Sequence, residues 1–131
     1  MKIAVDTNVL VRAVMRDDAK QAAVAAKVLR DADLIAVALP CLCELVWVLR
    51  KVYKLEASDA ASAVRALMAA ANVEMNRPAV ELGLSVLEAG GDFADGVIAY
   101  EGRWLGGEAF VSFDNQAVAL LTAQGQEALV L

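Results

Sequence analysis

The stretch Lys2–Met15 reads KIAVDTNVLVRAVM, and it decides the fold class of the chain. It begins with a short apolar run, Lys2–Asp6, which has the length and character of a β-strand and ends on an acid. A helical pattern, Asn8–Met15, follows with almost no connection. This direct passage from strand to acid to helix is the first unit of an alternating strand–helix chain.

The same alternation continues to the end of the chain. Further strands are predicted at Leu34–Leu39, Val73–Met75, Ala109–Phe113 and Ala128–Leu131. Further helices are predicted at Asp18–Asp31, Cys41–Tyr53, Ser58–Ala71, Pro78–Ala89, Phe93–Leu105 and Asn115–Ala123. Apolar strands separated by helices predict a parallel sheet that is covered on both faces. We therefore expect an α/β protein, a single three-layer α/β/α domain over residues 1–131 with a central, mostly parallel sheet.

Composition limits where the protein acts. The chain has 131 residues, of which 60% are hydrophobic, but its uncharged runs are shorter than the roughly 20 residues that span a bilayer. An acid already at position 6 leaves no room for the apolar part of a signal peptide. We therefore expect no membrane association and a cytoplasmic location. The apolar surplus favours contacts with a partner or a second copy.

Acidic residues follow the apolar runs. Asp6 and Asp114 each come after a predicted strand, and Asp92 and Asp95 open the predicted helix Phe93–Leu105. Because ligands of open parallel sheets bind beyond the carboxyl ends of the strands, these acids can face one crevice. Helix capping is an alternative role for each aspartate alone, and the spacing of Asp92 and Asp95 also fits a capping pair.

A further acid, Glu44, lies in PCLCELVWVL (Pro40–Leu49), where every close neighbour is apolar. Since a buried carboxylate without a partner costs several kcal/mol, we expect Glu44 to be enclosed beside a cation rather than exposed. Trp47, one turn further on, could stack on a nucleobase, although a place in the core or at a dimer contact is the commoner role.

The types of side chain available as ligands indicate which cation could bind. The chain has no histidine and only two cysteines, Cys41 and Cys43, which excludes a structural zinc site and imidazole-based nucleophile schemes. A divalent ion that prefers oxygen, Mg²⁺ or Mn²⁺, is the simplest partner for several carboxylates. Two such ions would bring the net charge from −5 to about −1, so the acidity does not exclude a nucleic-acid substrate.

Four segments carry a family resemblance: DTNVLVR at Asp6–Arg12, CELVWVLRKVYKL at Cys43–Leu55, GGDFADGVIAY at Gly90–Tyr100 and FVSFDN at Phe110–Asn115. Together they resemble the signatures of PIN-domain ribonucleases and, more narrowly, of the VapC toxins of bacterial toxin–antitoxin pairs. The resemblance implies an endoribonuclease that uses Mg²⁺ or Mn²⁺ and cuts RNA, tRNA among the candidates. It also implies a homodimer, for which the alanine-rich helix Ser58–Ala71 is suited, and a cognate antitoxin protein that covers apolar surface near Trp47.

The resemblance also implies roles for individual residues. The catalytic, metal-binding carboxylates would be Asp6, Glu44, Asp95 and Asp114. Accessory residues would be Asp92, Thr7, Asn8 and Ser112. Candidate contacts to RNA phosphates, for which a solvated helix face is the ordinary alternative, are Arg12, Arg16, Arg50, Lys51 and Lys54.

Other functions fit the same pattern less well. A receiver-type signalling domain needs two acids after its first strand and a lysine after its last core strand, whereas this chain has one such acid and its last lysine is Lys54. A haloacid-dehalogenase-type phosphatase needs a second aspartate two residues after the first. A catalytically silent PIN-fold module that binds RNA or protein stays open as an alternative.

Overall fold

The computed structural model describes all 131 residues, Met1–Leu131, as five strands and seven helices. In chain order they are β1 (Lys2–Ala4), α1 (Thr7–Met15), α2 (Ala19–Asp31), β2 (Leu34–Ala36), α3 (Leu39–Lys51), α4 (Ala57–Ala69), β3 (Val73–Glu74), α5 (Arg77–Glu88), α6 (Phe93–Trp104), β4 (Phe110–Ser112), α7 (Asn115–Ala123) and β5 (Ala128–Val130). Every predicted element is present, with ends displaced by at most three residues. None of the helices combines the length and the apolar character that a membrane span requires.

Every strand pairing is parallel, which confirms the predicted α/β class. One sheet has three strands in the order β1-β2-β3, and the other pairs β4 with β5. Ile35 at the centre of β2 lies opposite Ile3 on one side and Val73 on the other. Each crossover between parallel partners runs through one or two helices, as parallel pairing demands.

The chain divides into two compact units, and the first unit is Met1–Met75. It contains the three-stranded sheet and helices α1 to α4, with α1 packed on α2 and α3, and α3 packed on α4. On α3 the fully buried residues recur at helical spacing as Leu42, Leu45 and Leu49. Fully burying a leucine contributes about 1.5–3 kcal/mol relative to exposure, so this stripe anchors the helix that carries Glu44.

The second unit, Asn76–Leu131, contains α5 to α7 and the two-stranded sheet. Val86, Ala99 and Leu121 form the centre of a buried cluster against which Phe110 of β4 also packs. Helices α5 and α6 make the most extensive helix contact of the unit, and two glycines lie where they approach each other. A single domain over residues 1–131 stays a prediction.

Candidate functional site

Asp6 begins α1 as its capping residue. Its backbone is extended (φ −80°, ψ 155°), and its Oδ1 accepts a hydrogen bond from the backbone N–H of Thr7 at 2.7 Å. The residue is exposed and follows β1, at the carboxyl end of a parallel strand as predicted. Because capping uses Oδ1 and leaves Oδ2, helix capping and cation binding are compatible roles for this carboxylate.

Thr7 and Cys41 join the first turn of α1 to the start of α3. Thr7 is the one buried polar residue of the chain, and Cys41, whose thiol its side chain influences, is buried as well. Burial raises the pKa of Cys41, the Thr7 hydrogen bond opposes that rise, and the charges of Asp6 and Glu44 raise the pKa further. Because both charges act on one thiol, Asp6 and Glu44 both lie near Cys41. The start of α1 and the first turns of α3 therefore lie close to each other within this unit.

The expectation that Glu44 is enclosed is wrong. Glu44 is exposed, and it lies on a stripe with Pro40, Trp47 and Lys51, each separated by three or four residues. This spacing is that of a solvent-facing helix surface. The sequence did not indicate an exposed stripe because two of its four residues, a proline and a tryptophan, are not polar. Trp47 is 57% exposed, so a place in the core is also wrong for it.

In the second unit, Asp92 and Asp114 cap the helices that follow them. Asp92 Oδ1 accepts a hydrogen bond from the backbone N–H of Ala94 at 3.1 Å. Asp114 Oδ1 accepts two from the first turn of α7, at 2.9 and 3.1 Å. The capping role that the spacing of Asp92 and Asp95 indicates is therefore confirmed for Asp92. Both caps again leave Oδ2 for another partner.

Asp95 differs from these capping residues. It is the third residue of α6, it is partly buried, and its carboxylate makes no capping bond. Partial burial raises the pKa of Asp95, and the nearby charges of Asp92 and Asp114 raise it further. No lysine or arginine offsets these effects on Asp95. A cation bound near Asp95 would relieve this unfavourable environment of its carboxylate.

Two of the predicted accessory residues have clear local positions. Ser112, the last residue of β4, accepts a hydrogen bond from the backbone N–H of Asp114 to its Oγ at 3.0 Å. It therefore fixes the residue that caps α7. Asn8 is exposed on the first turn of α1 and lines a groove between α1 and α2.

Arg12 is held in a hydrogen-bond network that the sequence did not predict. Its guanidinium donates to Gln21 Oε1 at 2.6 Å, to Asp17 Oδ1 at 3.1 Å and to Tyr53 Oη at 3.3 Å, while Tyr53 donates to Asp17 Oδ2 at 2.7 Å. The Tyr53 hydrogen bond is the main cause that raises the pKa of Arg12 and lowers the pKa of Asp17. This network ties α1 to α2 and to the segment after α3. The Arg12 guanidinium is therefore already occupied by contacts within the protein.

The other predicted phosphate contacts divide into engaged and exposed residues. Arg50 donates a hydrogen bond to the backbone carbonyl of Leu55 at 2.8 Å, which stabilises the turn after α3. Arg16, at the end of α1, and Lys51, at the end of α3, are exposed. Lys54, beyond α3, is exposed as well. The exposed cations are the ones available to a phosphate.

The donor chemistry of both acidic groups fits Mg²⁺ or Mn²⁺. All the candidate ligands are carboxylate oxygens, and Mg²⁺ is commonly held by only one or two carboxylates with several waters retained. Asp6 with Glu44 can supply that in the first unit, and Asp95 with Asp92 or Asp114 in the second. No group of three or more Cys, Asp or Glu side chains lies at metal-binding spacing. That Asp6, Glu44, Asp95 and Asp114 serve one metal site stays a prediction.

These features define an α/β protein of parallel strands whose acids begin the helices that follow. The model of the PIN domain family matches residues 3–120, and the chain belongs to the PIN domain family. The match confirms the predicted PIN-like fold class, which is a nuclease-type fold, and nucleases of this family generally use divalent metal ions. No curated protein matches the chain.

Proposed function

We propose that this protein is a metal-dependent endoribonuclease that hydrolyses RNA phosphodiester bonds and acts as the VapC-type toxin of a toxin–antitoxin pair. The observation that carries the proposal is Asp95, a partly buried acid in the first turn of α6 that has no capping role and whose pKa is raised by burial and by the charges of Asp92 and Asp114. Such a group is unfavourable alone and suits a divalent ion. The fold family supplies the reaction type.

The chain's own residues have distinct tasks in this reaction. Asp6, Glu44, Asp95 and Asp114 would hold Mg²⁺ or Mn²⁺, with Asp92 as a further acid. A divalent ion supplies positive charge for the substrate phosphate and makes a water molecule easier to deprotonate. Ser112 keeps Asp114 in place through its backbone, and exposed cations such as Arg16 and Lys51 contact the RNA backbone.

The test is RNA cleavage by purified protein with Mg²⁺ or Mn²⁺. We expect Asp6→Asn and Asp95→Asn each to abolish cleavage while circular dichroism shows an unchanged fold. Asp59→Asn is the matched control, because Asp59 is an exposed acid at the third position of α4, as Asp95 is of α6. If both variants cut RNA as fast as the parent while Asp59→Asn does the same, the assignment of the acids is wrong.

The RNA target requires an experiment in cells. Structured RNA such as tRNA is our candidate substrate, and the protein is expected to act in the cytoplasm. Expression in a bacterium, followed by mapping of new RNA 5′ ends, would identify the cleavage sites. The Asp6→Asn variant, expressed at the same level, provides the background. New ends that persist in this variant would belong to another nuclease.

We propose that the antitoxin binds the groove between α1 and α2, and not the surface near Trp47 that the sequence suggested, because Trp47 does not line this groove. The groove has a volume of about 690 Å³ and is lined by Asn8, Val9, Arg12, Lys20, Gln21, Val24, Ala25 and Val28. Its mostly apolar lining, which also includes Arg12 and Lys20, suits an apolar segment that carries acidic side chains. Val24 is 64% exposed, so Val24→Asp should abolish the complex and spare cleavage. Val52→Asp, at a site 59% exposed outside the groove, should leave the complex intact.

A homodimer is proposed through α4. Ala60, Ala61 and Val64 of this helix are buried within the first unit, whereas Ala66 and Ala69 are exposed small residues that allow close approach of a second copy. Sedimentation should show a dimer at micromolar concentration, and Ala66→Arg should shift it to monomer. A parent protein that sediments only as monomer at that concentration contradicts this part of the proposal.

A catalytically silent module that binds RNA or protein is the second candidate. The observation that favours it is that Asp6, Asp92 and Asp114 all cap helices, which accounts for their presence without chemistry. The two candidates differ at Asp95, which has no capping bond. A parent protein that binds RNA but leaves it intact with either ion would support the silent module.

A further inference from the structure

A cavity of about 430 Å³ lies at the carboxyl-terminal end of α6, within the second unit. It is lined by Tyr100, Arg103 and Trp104 of α6 and by Gln126, just before β5. Arg103 and Trp104 lie three and four positions after Tyr100, so both are its neighbours on the surface of the helix. The cavity is widely open to solvent, so it suits one group of a larger molecule rather than an enclosed small ligand.

Two hydrogen bonds organise this cavity in advance of any ligand. The indole N–H of Trp104 donates to Tyr100 Oη at 2.8 Å, and Arg103 donates to Gln126 Oε1 at 3.2 Å. The first bond satisfies the polar atom of Trp104, although the residue is 73% exposed. The Trp104 ring is therefore both accessible to solvent and held by a hydrogen bond, which leaves its face free to stack on a flat ligand.

The side chains define the ligand class. Aromatic rings stack on the faces of unpaired bases, an amide can hydrogen-bond a base edge, and a guanidinium contacts phosphate. We propose that this cavity is a subsite for an unpaired nucleobase of single-stranded RNA, with Trp104 stacking on the base. The proposal rests on the proposed function for the class of substrate, and it adds where a nucleotide away from the cleaved bond is held.

The local charges indicate that stacking, rather than phosphate neutralisation, dominates binding here. Arg103 is the one cation that lines the cavity, and the exposed acids Glu101 and Glu127 are sequence neighbours of lining residues. Because positive and negative charges are nearly equal here, electrostatic attraction of a phosphate is weak. Base stacking does not depend on net charge. The affinity contributed by this subsite should therefore change little with salt concentration.

The position on α6 separates this subsite from the acids. Trp104 follows Asp95 by nine residues in the same helix, which is about 13.5 Å along the axis and half a turn around it. At about 3.4 Å per stacked nucleotide, the axial distance alone corresponds to about four nucleotides, and the half turn around the helix makes the connecting strand longer than that. Trp104 should therefore contribute to substrate binding and not to the chemical step.

The first experiment uses Trp104 itself as the reporter. In the Trp47→Phe variant, Trp104 is the sole tryptophan. Titration with a six-nucleotide single-stranded adenylate RNA in EDTA should quench its fluorescence, because base stacking quenches an indole. The Trp104→Phe variant, which reports only Trp47, should show no comparable quenching. A stable RNA hairpin of G·C pairs should bind more weakly to the parent, since its bases are already paired.

Variants then separate this subsite from other roles. Trp104→Ala should raise the Kd for the labelled RNA about tenfold, within the range measured for one stacked base, and Trp104→Phe should retain most of the affinity. In cleavage assays Trp104→Ala should raise KM by a similar factor and leave kcat unchanged. Unchanged RNA affinity in Trp104→Ala overturns the proposal. So does conversion of a dimer to monomer without an effect on RNA, which would make this surface a protein contact.

The outcomes also distinguish this proposal from the proposed function. If RNA binding in EDTA depends on Trp104 but no cleavage occurs with Mg²⁺ or Mn²⁺, the nuclease assignment fails and the nucleobase subsite stands. If RNA is cut and Asp95→Asn abolishes cutting, but KM is the same in Trp104→Ala, the nuclease stands and the nucleobase subsite is wrong.

Discussion

Gly96 of α6 lies directly against Gly83 of α5. A Cβ atom added at Gly96 would stand 2.7 Å from the Gly83 Cα and 2.7 Å from the backbone oxygen of Leu82. Both neighbours are backbone atoms, so they cannot rotate away as a side chain would. The residue next to Gly96 is Asp95, and the close approach of the two helices therefore sets where this acid stands relative to α5.

Gly96→Ala should destabilise the protein because the two helices must move apart. We expect a loss of about 1–3 kcal/mol in the free energy of unfolding, measured by denaturant titration. Gly102→Ala is the control in the same helix, since a Cβ there meets nothing within 4 Å. That variant should gain about 0.5–1 kcal/mol from helix propensity. Equal effects of the two substitutions would mean that the helices are not in contact at Gly96.

Asp114 should show separate contributions to stability and to activity. Asp114→Ala removes the acceptor of two backbone N–H groups and should cost about 0.5–2 kcal/mol in the free energy of unfolding. Asp114→Asn keeps a capping oxygen and removes a charge that is unfavourable beside Asp95, so it should be at least as stable as the parent. Both variants should lose RNA cleavage. An Asp114→Asn variant that is as unstable as Asp114→Ala would show that the charge, not the cap, stabilises α7.

The pKa of Asp95 predicts an unusual dependence of stability on pH. Because its pKa in the folded protein lies above the ordinary 3.8, the charged form destabilises the fold, and stability is lost as pH rises through that raised pKa. Asp95→Asn should therefore have a higher Tm than the parent at neutral pH in EDTA. The difference should disappear at a pH below 3.8. A lower Tm for this variant at neutral pH would contradict the electrostatic assignment.

Asp17 should behave in the opposite way. Its pKa in the folded protein lies below 3.8, chiefly through the Tyr53 hydrogen bond, so its contribution is present above 3.8 and lost as pH falls through the lowered value. Asp17→Asn should lower the Tm at neutral pH and match the parent in strong acid. Tyr53→Phe should reduce the effect of Asp17→Asn when the two are combined. Additive losses of Tm in the double variant would mean that these two residues act independently.

A divalent ion should stabilise the folded protein through the acids. At a Mg²⁺ concentration ten times its Kd, binding adds about 1.4 kcal/mol to the free energy of unfolding, which is visible as a rise in Tm. Asp95→Asn should lose this rise, and the matched Asp59→Asn should keep it. Potassium chloride at equal ionic strength controls for screening. The same rise in Asp95→Asn and in the parent would place the ion elsewhere.

The sequence predicted all twelve elements because their signals are local. These signals are apolar runs of strand length, prolines at helix starts and aspartates before helices. Each acts over a few residues, and each is found at the predicted place in the structure. The capping aspartates Asp6, Asp92 and Asp114 were visible for the same reason. Family motifs then marked which of these acids belong to the predicted metal site.

The predictions that were wrong or missing concern solvent exposure and contacts between residues far apart in the sequence. Glu44 was expected to be enclosed because its neighbours in the chain are apolar, but burial depends on which side of α3 faces the core. The contact of Arg12 with Tyr53 joins residues 41 positions apart, and no local pattern announces it. The sequence shows that Tyr100, Arg103 and Trp104 share one face of α6. It does not show that Gln126, which lies just before β5, completes a cavity with them.

The dual use of capping aspartates has an evolutionary consequence. Asparagine caps a helix about as well as aspartate, so a single substitution at Asp6 or Asp114 discards a ligand's charge and leaves the helix start intact. Descendants of such a protein would inherit the shape without the chemistry, and nothing in their folding would select against them. Family membership and fold therefore predict activity poorly in proteins of this kind. Whether aspartate is retained at a few capping positions predicts it better.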